Sequence, residues 1–533
     1  MRPNGNLEPQ HHAMYRALGD MGNQRDVYTV DEALMSLGFG KFQFFVLLYS
    51  GIGYAAEAME IMILSFIGSP IQSEWKLSPQ QESFISSVVF AGMLLGQYSW
   101  GVISDNYGRR QVPTISPDLS SFLIDFLQPG LQKGFVFTAL VTSGAGFLSA
   151  FSPNYITFII LRFLVGIGLG GGPVLFSWFL EFVPATNRGI WMTIFSFCWS
   201  LGTILEASLA WVIMPNLGWR WLLALSSVPV LLLLLFYGFT PESPKYLCTK
   251  GRTADAMHVL ENMARMNSMV LPSGSLISDF KGVFDGDENV PETSHLITVQ
   301  NDQTDIDQDM DSKIGFISTL CNLLSPKLVR STLLLWIGFF GNIFAYYGIV
   351  LLTSALSDGK MTCSSPKLHF NRTEDINLYK DVFITSFAEL PGLILLAVMV
   401  DRFGRKLSVV TMLFAAFVFL IPLAFPQTEG LTTALLFCTR LCITASSTGL
   451  CIYAPEVYPT SLRSSGYGTA SAVGRIGGII SPLVAVALVD DCHQTEAILL
   501  FEIVISVSAI AVAFFPIETK GRSLDDSLES LIS

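Results

Sequence analysis

The sequence predicts an all-α membrane protein with twelve transmembrane helices in two six-helix bundles. Three observations predict it. First, 51% of the 533 residues are apolar, only 14% are charged, and the mean hydropathy is +0.51. A soluble chain of this size needs more charge to stay dispersed. Second, runs such as Trp221 to Phe236 and Ala497 to Phe515 approach the ~20 apolar residues that cross a bilayer core. Third, the same signals recur in the same order in two halves. Gly101-Val-Ile-Ser-Asp105-Asn-Tyr-Gly108-Arg109-Arg110 is echoed by Ala397-Val-Met-Val-Asp401-Arg-Phe-Gly404-Arg405-Lys406. Glu181-Phe-Val-Pro184-Ala-Thr-Asn-Arg188 is echoed by Glu456-Val-Tyr-Pro459-Thr-Ser-Leu-Arg463. Duplication about a central axis builds a site that can open to alternate sides.

In chain order, 1–41 is a polar segment of mixed charge with no cleavable signal, so the first apolar helix acts as its own insertion signal. Met21, ahead of an acidic helix-like start, is an alternative initiator to Met1. The first bundle covers 42–240, with spans at 42–66, 82–103, 134–152, 155–180, 189–214 and 220–240. Residues 241–330 form a polar linker. The second bundle covers 331–516, with spans at 331–355, 380–400, 407–425, 431–455, 467–489 and 496–516, and 517–533 is a tail. Gln111 to Lys133 has no counterpart in the second half; it is either a loop insertion or non-coding sequence retained in the gene, and the second reading is favoured.

Lys and Arg set the orientation. With the N-terminus in the cytoplasm, the short inner loops hold Arg109, Arg110, Arg188, Arg402, Arg405, Lys406 and Arg463. The outer connections after the third, ninth and eleventh spans hold none. The outer loop between the seventh and eighth spans carries Lys360, Lys367 and Arg372, against the trend. That loop also holds the sequon Asn371-Arg-Thr373, a candidate glycosylation site. Both termini are then cytoplasmic. Much of the net charge of −12 sits in Ser278 to Asp311, and no basic patch points to nucleic acid. The eight cysteines show no metal spacing. Cys363 and Cys492 fall in outer loops, as a disulfide or as two free thiols.

Charge within a bilayer costs roughly 3 kcal/mol per residue at a helix centre, so each instance needs a reason. Glu57 and Glu60 in the first span are ~60° apart around the helix and ~4.5 Å apart along it. Two carboxylates so placed repel, so one can hold a proton near neutral pH, which suits proton coupling or capture of a cationic group. Partners elsewhere in the bundle would satisfy them equally well. Glu206 in the fifth span and Glu389 in the eighth, directly before Leu390-Pro391, are further acidic candidates. Arg475 in the eleventh span sits among Gly474, Gly477 and Gly478 and needs an internal carboxylate or an anionic substrate. Tyr346 and Tyr347 in the seventh span can stack on a flat ring or a quaternary ammonium. Arg162 and Arg440 occupy equivalent places in the fourth and tenth spans, which argues for an architectural role.

The loop motifs have a mechanical reading. Asp105, Arg109 and Arg110 with Glu181 and Arg188, and in the second half Asp401, Arg405, Glu456 and Arg463, can pair across neighbouring helices. Such pairs form a latch that opening must break; fixing loop geometry is the alternative. Gly166-Ile-Gly168-Leu-Gly-Gly171 matches a dinucleotide fingerprint, but it lies inside an apolar span and follows no strand. Close helix packing accounts for it. No catalytic triad, zinc spacing or phosphate loop stands out, so no enzyme, cofactor or metal is expected.

These motifs together resemble the major facilitator superfamily. The carriers are G-x-x-x-D-x-x-G-R-R with its degenerate copy, Arg162-Phe-Leu-Val-Gly166 and the paired Glu-x-x-Pro-x-x-x-Arg. Pro241-Glu-Ser-Pro-Lys-Tyr246-Leu and Pro516-Ile-Glu-Thr-Lys520-Gly521-Arg522 resemble its sugar-porter and organic-ion branch. Tyr28-Thr-Val-Asp31-Glu-Ala-Leu, Tyr54-Ala-Ala-Glu57-Ala-Met-Glu60 and Ser104-Asp-Asn-Tyr-Gly108 resemble plant organic cation/carnitine transporter 7-like proteins, relatives of the synaptic vesicle glycoprotein 2 group. The resemblance implies a rocker-switch carrier of small organic ions, nicotinate-like or organic cation/carnitine-like, to which the Glu57 and Glu60 reading adds coupling to protons. It places the carrier in the plasma or vacuolar membrane, working as a monomer. Arg475 would meet a carboxylate, the tyrosines a ring, and Glu57 and Glu60 a cationic nitrogen. The alternatives are a transporter-like protein that binds without transport, and a sugar porter. The latter is disfavoured because the fifth and seventh spans lack a run of Gln and Asn. Ala397 departs from the glycine usual in the second motif.

Overall fold

The computed structural model describes residues 27–107, 134–184, 188–236, 240–249, 252–276, 323–326, 328–357, 372–425, 427–458, 463–487 and 494–520. Met21, Gln111 to Lys133, Asn371, Cys363 and Cys492 lie outside them. The chain divides into two compact units.

The smaller unit comprises 1–45, 181–186 and 241–297. Its first helix, Val30–Leu37, starts where the sequence supplies a complete N-cap. Thr29 Oγ1 accepts from the Glu32 amide at 3.3 Å and Glu32 Oε2 accepts from the Thr29 amide at 2.9 Å. Gly38, at φ +61°, ends it. Helices Pro244–Thr249 and Thr253–Asn267 complete the helical part, the latter burying Ala256, Leu260, Met263 and Ala264. Val27 and Tyr28 pair in parallel with Ser275 and Leu276. The Asn267 amide bridges the Phe42 backbone and the Gln43 side chain at 3.0 and 2.8 Å, and Lys245 pairs with Asp31 at 2.5 Å. The N-terminal segment and the start of the linker, separate in sequence, therefore share one small helical body.

Among its described residues the larger unit holds twelve helical passages. They are Lys41–Trp75 (its first residues in the smaller unit), Pro79–Tyr107, Gly134–Ser149, Tyr155–Leu180, Arg188–Leu217, Trp219–Phe236, Val329–Ser357, Arg372–Phe403, Arg405–Leu420, Glu429–Val457, Arg463–Ala487 and Gln494–Ala513. Among the described residues, seven helices are long and apolar enough to cross a bilayer, and three more are apolar but shorter. This is the twelve-helix membrane fold the sequence predicts. Several passages break midway. The eighth is interrupted between Ser386 and Glu389. Pro391 has no amide to continue the ladder, so the Phe387 carbonyl is taken by Leu390 instead.

The glycine-rich Gly166–Gly171 stretch meets the second span. A Cβ at Gly92 would lie 3.0 Å from the Gly166 Cα, and one at Gly96 would lie 3.1 Å from the Gly170 Cα. Two glycine pairs, each four residues apart, let the backbones touch, as in membrane helix pairs built on small residues. Gly166→Ala puts a methyl group against the Val89 carbonyl. Overpacking of that kind costs about 1–3 kcal/mol. Gly144→Ala, with nothing within 4 Å, is the control. We expect the first to lower the melting temperature of purified protein by several degrees and the second to leave it unchanged.

Candidate functional site

A cavity of about 110 Å³ lies between the two six-helix sets, inside the larger unit. At the 10–15 Å³ that one water needs, it has room for several waters or a small organic molecule. Glu57 from the first span and Arg475 from the eleventh face it, both buried. Arg475 Nη2 is 4.0 Å from Glu57 Oε1, and its Nη1 donates to Tyr347 Oη at 2.7 Å. With its amide oxygen turned toward Arg475, Gln97 accepts from Nη2 and Nε at 2.9 and 2.8 Å. Aromatic rings supply the walls. Tyr54 stacks on Phe195 with centroids 4.7 Å apart and tilts against Trp199, while Tyr346 and Tyr347 meet edge-on at 5.1 Å. Of the residues predicted to bind, Glu57, Tyr346, Tyr347 and Arg475 line this cavity; Glu60, Glu206 and Glu389 are not among its lining residues.

Glu60 turns into the first six-helix set. Its Oε2 accepts from Arg162 Nη1 at 3.2 Å, and Arg162 Nη2 donates to Ser149 Oγ. Glu206 accepts from Ser226 at 2.9 and 2.8 Å and acts electrostatically on Arg162. The ~60° between Glu57 and Glu60 is therefore enough to send them to different arginines. In the second set, Arg440 donates to Glu389 Oε1 from Nε at 3.0 Å and from Nη2 at 2.7 Å. Tyr346 Oη donates to the same oxygen at 2.9 Å and accepts from Trp199 Nε1 at 2.8 Å; Thr203 reaches Oε2 at 3.4 Å. Tyr346 thus connects the cavity wall to the Glu389–Arg440 pair. Arg162 and Arg440 are the counter-charges of buried carboxylates. Their equivalent positions were the available signal, but their partners sit on non-equivalent spans.

Contacts between the two sets run from the loop side, where Phe176 meets Tyr467 at 5.9 Å, to the ends of the spans remote from the charged loops. Ser87 Oγ donates to the Ile479 carbonyl at 2.8 Å, Phe66 packs on Tyr379 and Trp211 on Phe383. At the loop end, Arg405 holds Glu456 through two bonds of 3.1 Å, tying the ninth span to the tenth. Glu518 accepts from the Arg405 and Lys406 amides at 2.8 and 3.1 Å, capping the ninth span where Gly404 turns at φ +89°. Tyr458, beside Glu456, is buried against Thr332, and burial pushes its phenol up to about 12. Asp105, Asp401 and Arg463 lie on described helices whose side chains there are outside the description, and Arg109 and Arg110 lie outside the described residues. Glu181 closes the fourth span and Arg188 opens the fifth. Among the described residues no cluster of His, Cys, Asp and Glu could hold a metal.

The family described as "Sugar (and other) transporter" matches residues 119–276, and "Major Facilitator Superfamily" matches residues 382–532. The chain is 54% identical over 515 residues to organic cation/carnitine transporter 7 of Arabidopsis thaliana, covering 96% of this chain and 98% of that one. It is 34% identical over 516 residues to the synaptic vesicle 2-related protein of Bos taurus, covering 94% and 83%. Among solved structures, the xylose transporter of E. coli in a partially occluded inward open conformation superposes with a TM-score of 0.63 at 16% identity. That match covers 91% of this chain and all of the other.

Glu456→Gln removes the charge that holds Arg405. For a partly buried pair worth about 1 kcal/mol, the balance between cavity-open and cavity-closed states should move roughly fivefold. The native Cys451, which lines the cavity, reports this through its rate of labelling by a small thiol reagent. An unchanged rate would assign the pair to loop geometry alone.

Proposed function

The chain belongs to the major facilitator superfamily, a transporter rather than an enzyme, and we propose that it carries small organic ions across a membrane coupled to protons. The observation that carries this reading is the pairing of Glu57 with Arg475 in one aromatic cavity between the two helix sets. A carboxylate and a guanidinium 4.0 Å apart are close enough to balance each other and far enough apart to be recruited separately by a ligand. Arg475 suits a carboxylate, Glu57 a cationic nitrogen, and Tyr54, Tyr347 and Trp199 a flat ring or methylated ammonium. Nicotinate, its methylated derivative and carnitine-like ions fit this description. A sugar porter fits less well, since Asn342 is the one amide side chain among the lining residues.

Charge balance supports proton coupling. Glu60 and Glu206 share the single Arg162 in a fully buried site. That site is neutral only with one proton aboard, and an uncompensated buried charge is costly. A proton entering or leaving there would change how firmly the first, fourth, fifth and sixth spans hold together. With the charged loops placed in the cytoplasm, the Ser87–Ile479, Phe66–Tyr379 and Trp211–Phe383 contacts lie toward the outer face, and the Arg405–Glu456 pair lies inside. Glycosylation at Asn371, residence in the plasma or vacuolar membrane and action as a monomer belong to the same proposal.

Uptake of radiolabelled nicotinate and choline into vesicles, with and without a pH gradient, tests it. We expect saturable uptake stimulated by external acid. Glu60→Gln or Glu206→Gln should abolish the stimulation, whereas Arg475→Gln should weaken nicotinate uptake by about ten- to a hundredfold. Absence of saturable uptake of any ion would favour a transporter-like protein that binds without transport. Stimulation retained in both glutamate variants would remove that pair from coupling.

A further inference from the structure

We propose that the cavity has a second recognition pole, formed by Ser200, Asn342 and Thr444, which accepts a neutral hydrogen-bond donor, a hydroxyl or N–H, carried by the same organic ion whose charge is held at Glu57 and Arg475. The inference rests on the transport reading above and narrows its substrate class.

All three residues line the cavity, and they are only 1%, 1% and 5% exposed. Ser200 Oγ, Asn342 Oδ1 and Thr444 Oγ1 nevertheless have no hydrogen-bond partner. Buried polar atoms are nearly always satisfied, so three orphans around one cavity, Ser200 from the first set and Asn342 and Thr444 from the second, call for an explanation. Helical hydroxyls usually satisfy themselves on a carbonyl one turn back. Ser196 and Thr203 do so on either side of Ser200, at 3.0 and 2.9 Å. Thr439 and Ser446 do so on either side of Thr444, both at 2.8 Å. Ser200 and Thr444 leave that option unused.

Asn342 fixes the polarity of the pole. The Ser446 hydroxyl gives its one proton to the Ile443 carbonyl, so its oxygen can only accept. Asn342 must present its NH₂ to Ser446, at 2.7 Å, and this leaves the amide carbonyl as a free acceptor. A ligand that fills the cavity without a donor strands this oxygen; one with a hydroxyl or N–H satisfies it, and the two hydroxyls can share the contact.

The spacing suits a single small molecule. Asn342 precedes Tyr347, the partner of Arg475, by five residues, roughly 7.5 Å along the helix. Thr444 precedes Cys451, which lies near Arg475, by seven residues, roughly 10 Å. Charge and donor therefore sit a few bonds apart on the ligand.

Two pairs of probes test this on the purified full-length protein by ligand-dependent thermal stabilisation. Choline is compared with propyltrimethylammonium, in which a methyl group replaces the hydroxyl, and carnitine with its deoxy analogue. We expect the hydroxylated member of at least one pair to bind about tenfold tighter or more. Asn342→Leu should bring that ratio near one while the deoxy ion still binds. Thr444→Val and Ser200→Ala, which remove only a hydroxyl, should each reduce the ratio and carry the test if Asn342→Leu does not fold. Equal binding within both pairs, or a ratio unchanged in every folded variant, overturns this pole and leaves the transport reading standing. Binding of none of the four ions defeats both.

Discussion

The structure is organised by one constraint: charge placed within an apolar bundle must find an opposite charge, because neither lipid nor a packed core can solvate it. Breaking a buried pair by removing one partner costs about 3–5 kcal/mol, far more than the pair adds over a well-packed apolar substitute. Among the described residues, eight charged side chains are buried in the larger unit; apart from Glu82 these are Glu57, Glu60, Glu206, Glu389, Arg162, Arg440 and Arg475. The latter form three groups, one in each helix set and one between the sets. Each group fixes which helices stay together. The central one faces the cavity, and there the counter-charge stands 4.0 Å away, against 3.2 Å for Glu60–Arg162 and 2.7 Å for Glu389–Arg440.

The two sets are related but not equivalent in how they use this constraint. The arginines repeat at matching places, Arg162 in the fourth span and Arg440 in the tenth. Their carboxylates do not: Glu60 comes from the first span and Glu389 from the eighth. The second set also ties its pair to the cavity through Tyr346, whereas the first spends its extra carboxylate, Glu206, on Ser226. A duplicated scaffold has thus kept its basic anchors and moved its acidic partners. One set links its ion pair to the cavity, and the other keeps its surplus acid away from it.

The sequence made the helices legible because apolar runs and repeated loop motifs are local signals. Glu57 and Arg475 were legible for a related reason, since a charge in an apolar run is conspicuous wherever its partner lies. What could not be read was the pairing itself. Whether Glu57 or Glu60 looks into the cavity depends on how the first span is rotated against the fourth and eleventh, and that is set by contacts more than a hundred residues away. The neutral groups left even less trace. Asn342, Ser200 and Thr444 are ordinary polar residues in sequence, and they become informative only when neighbouring hydroxyls prove satisfied and they do not. Gln97 and Trp199 were missed for the same reason.

Glu518 has a consequence for how the protein is made. It caps a helix that begins 113 residues earlier. During synthesis the ninth span emerges with its leading amides bare, and it stays so while three more spans are produced. The first turn of the ninth span is capped only once the segment that follows the twelfth span has been made. The segment after the twelfth span is thus a fastener of the second set, and a nascent chain cut short before Glu518 would leave the membrane machinery with a carrier fully threaded but not fully fastened.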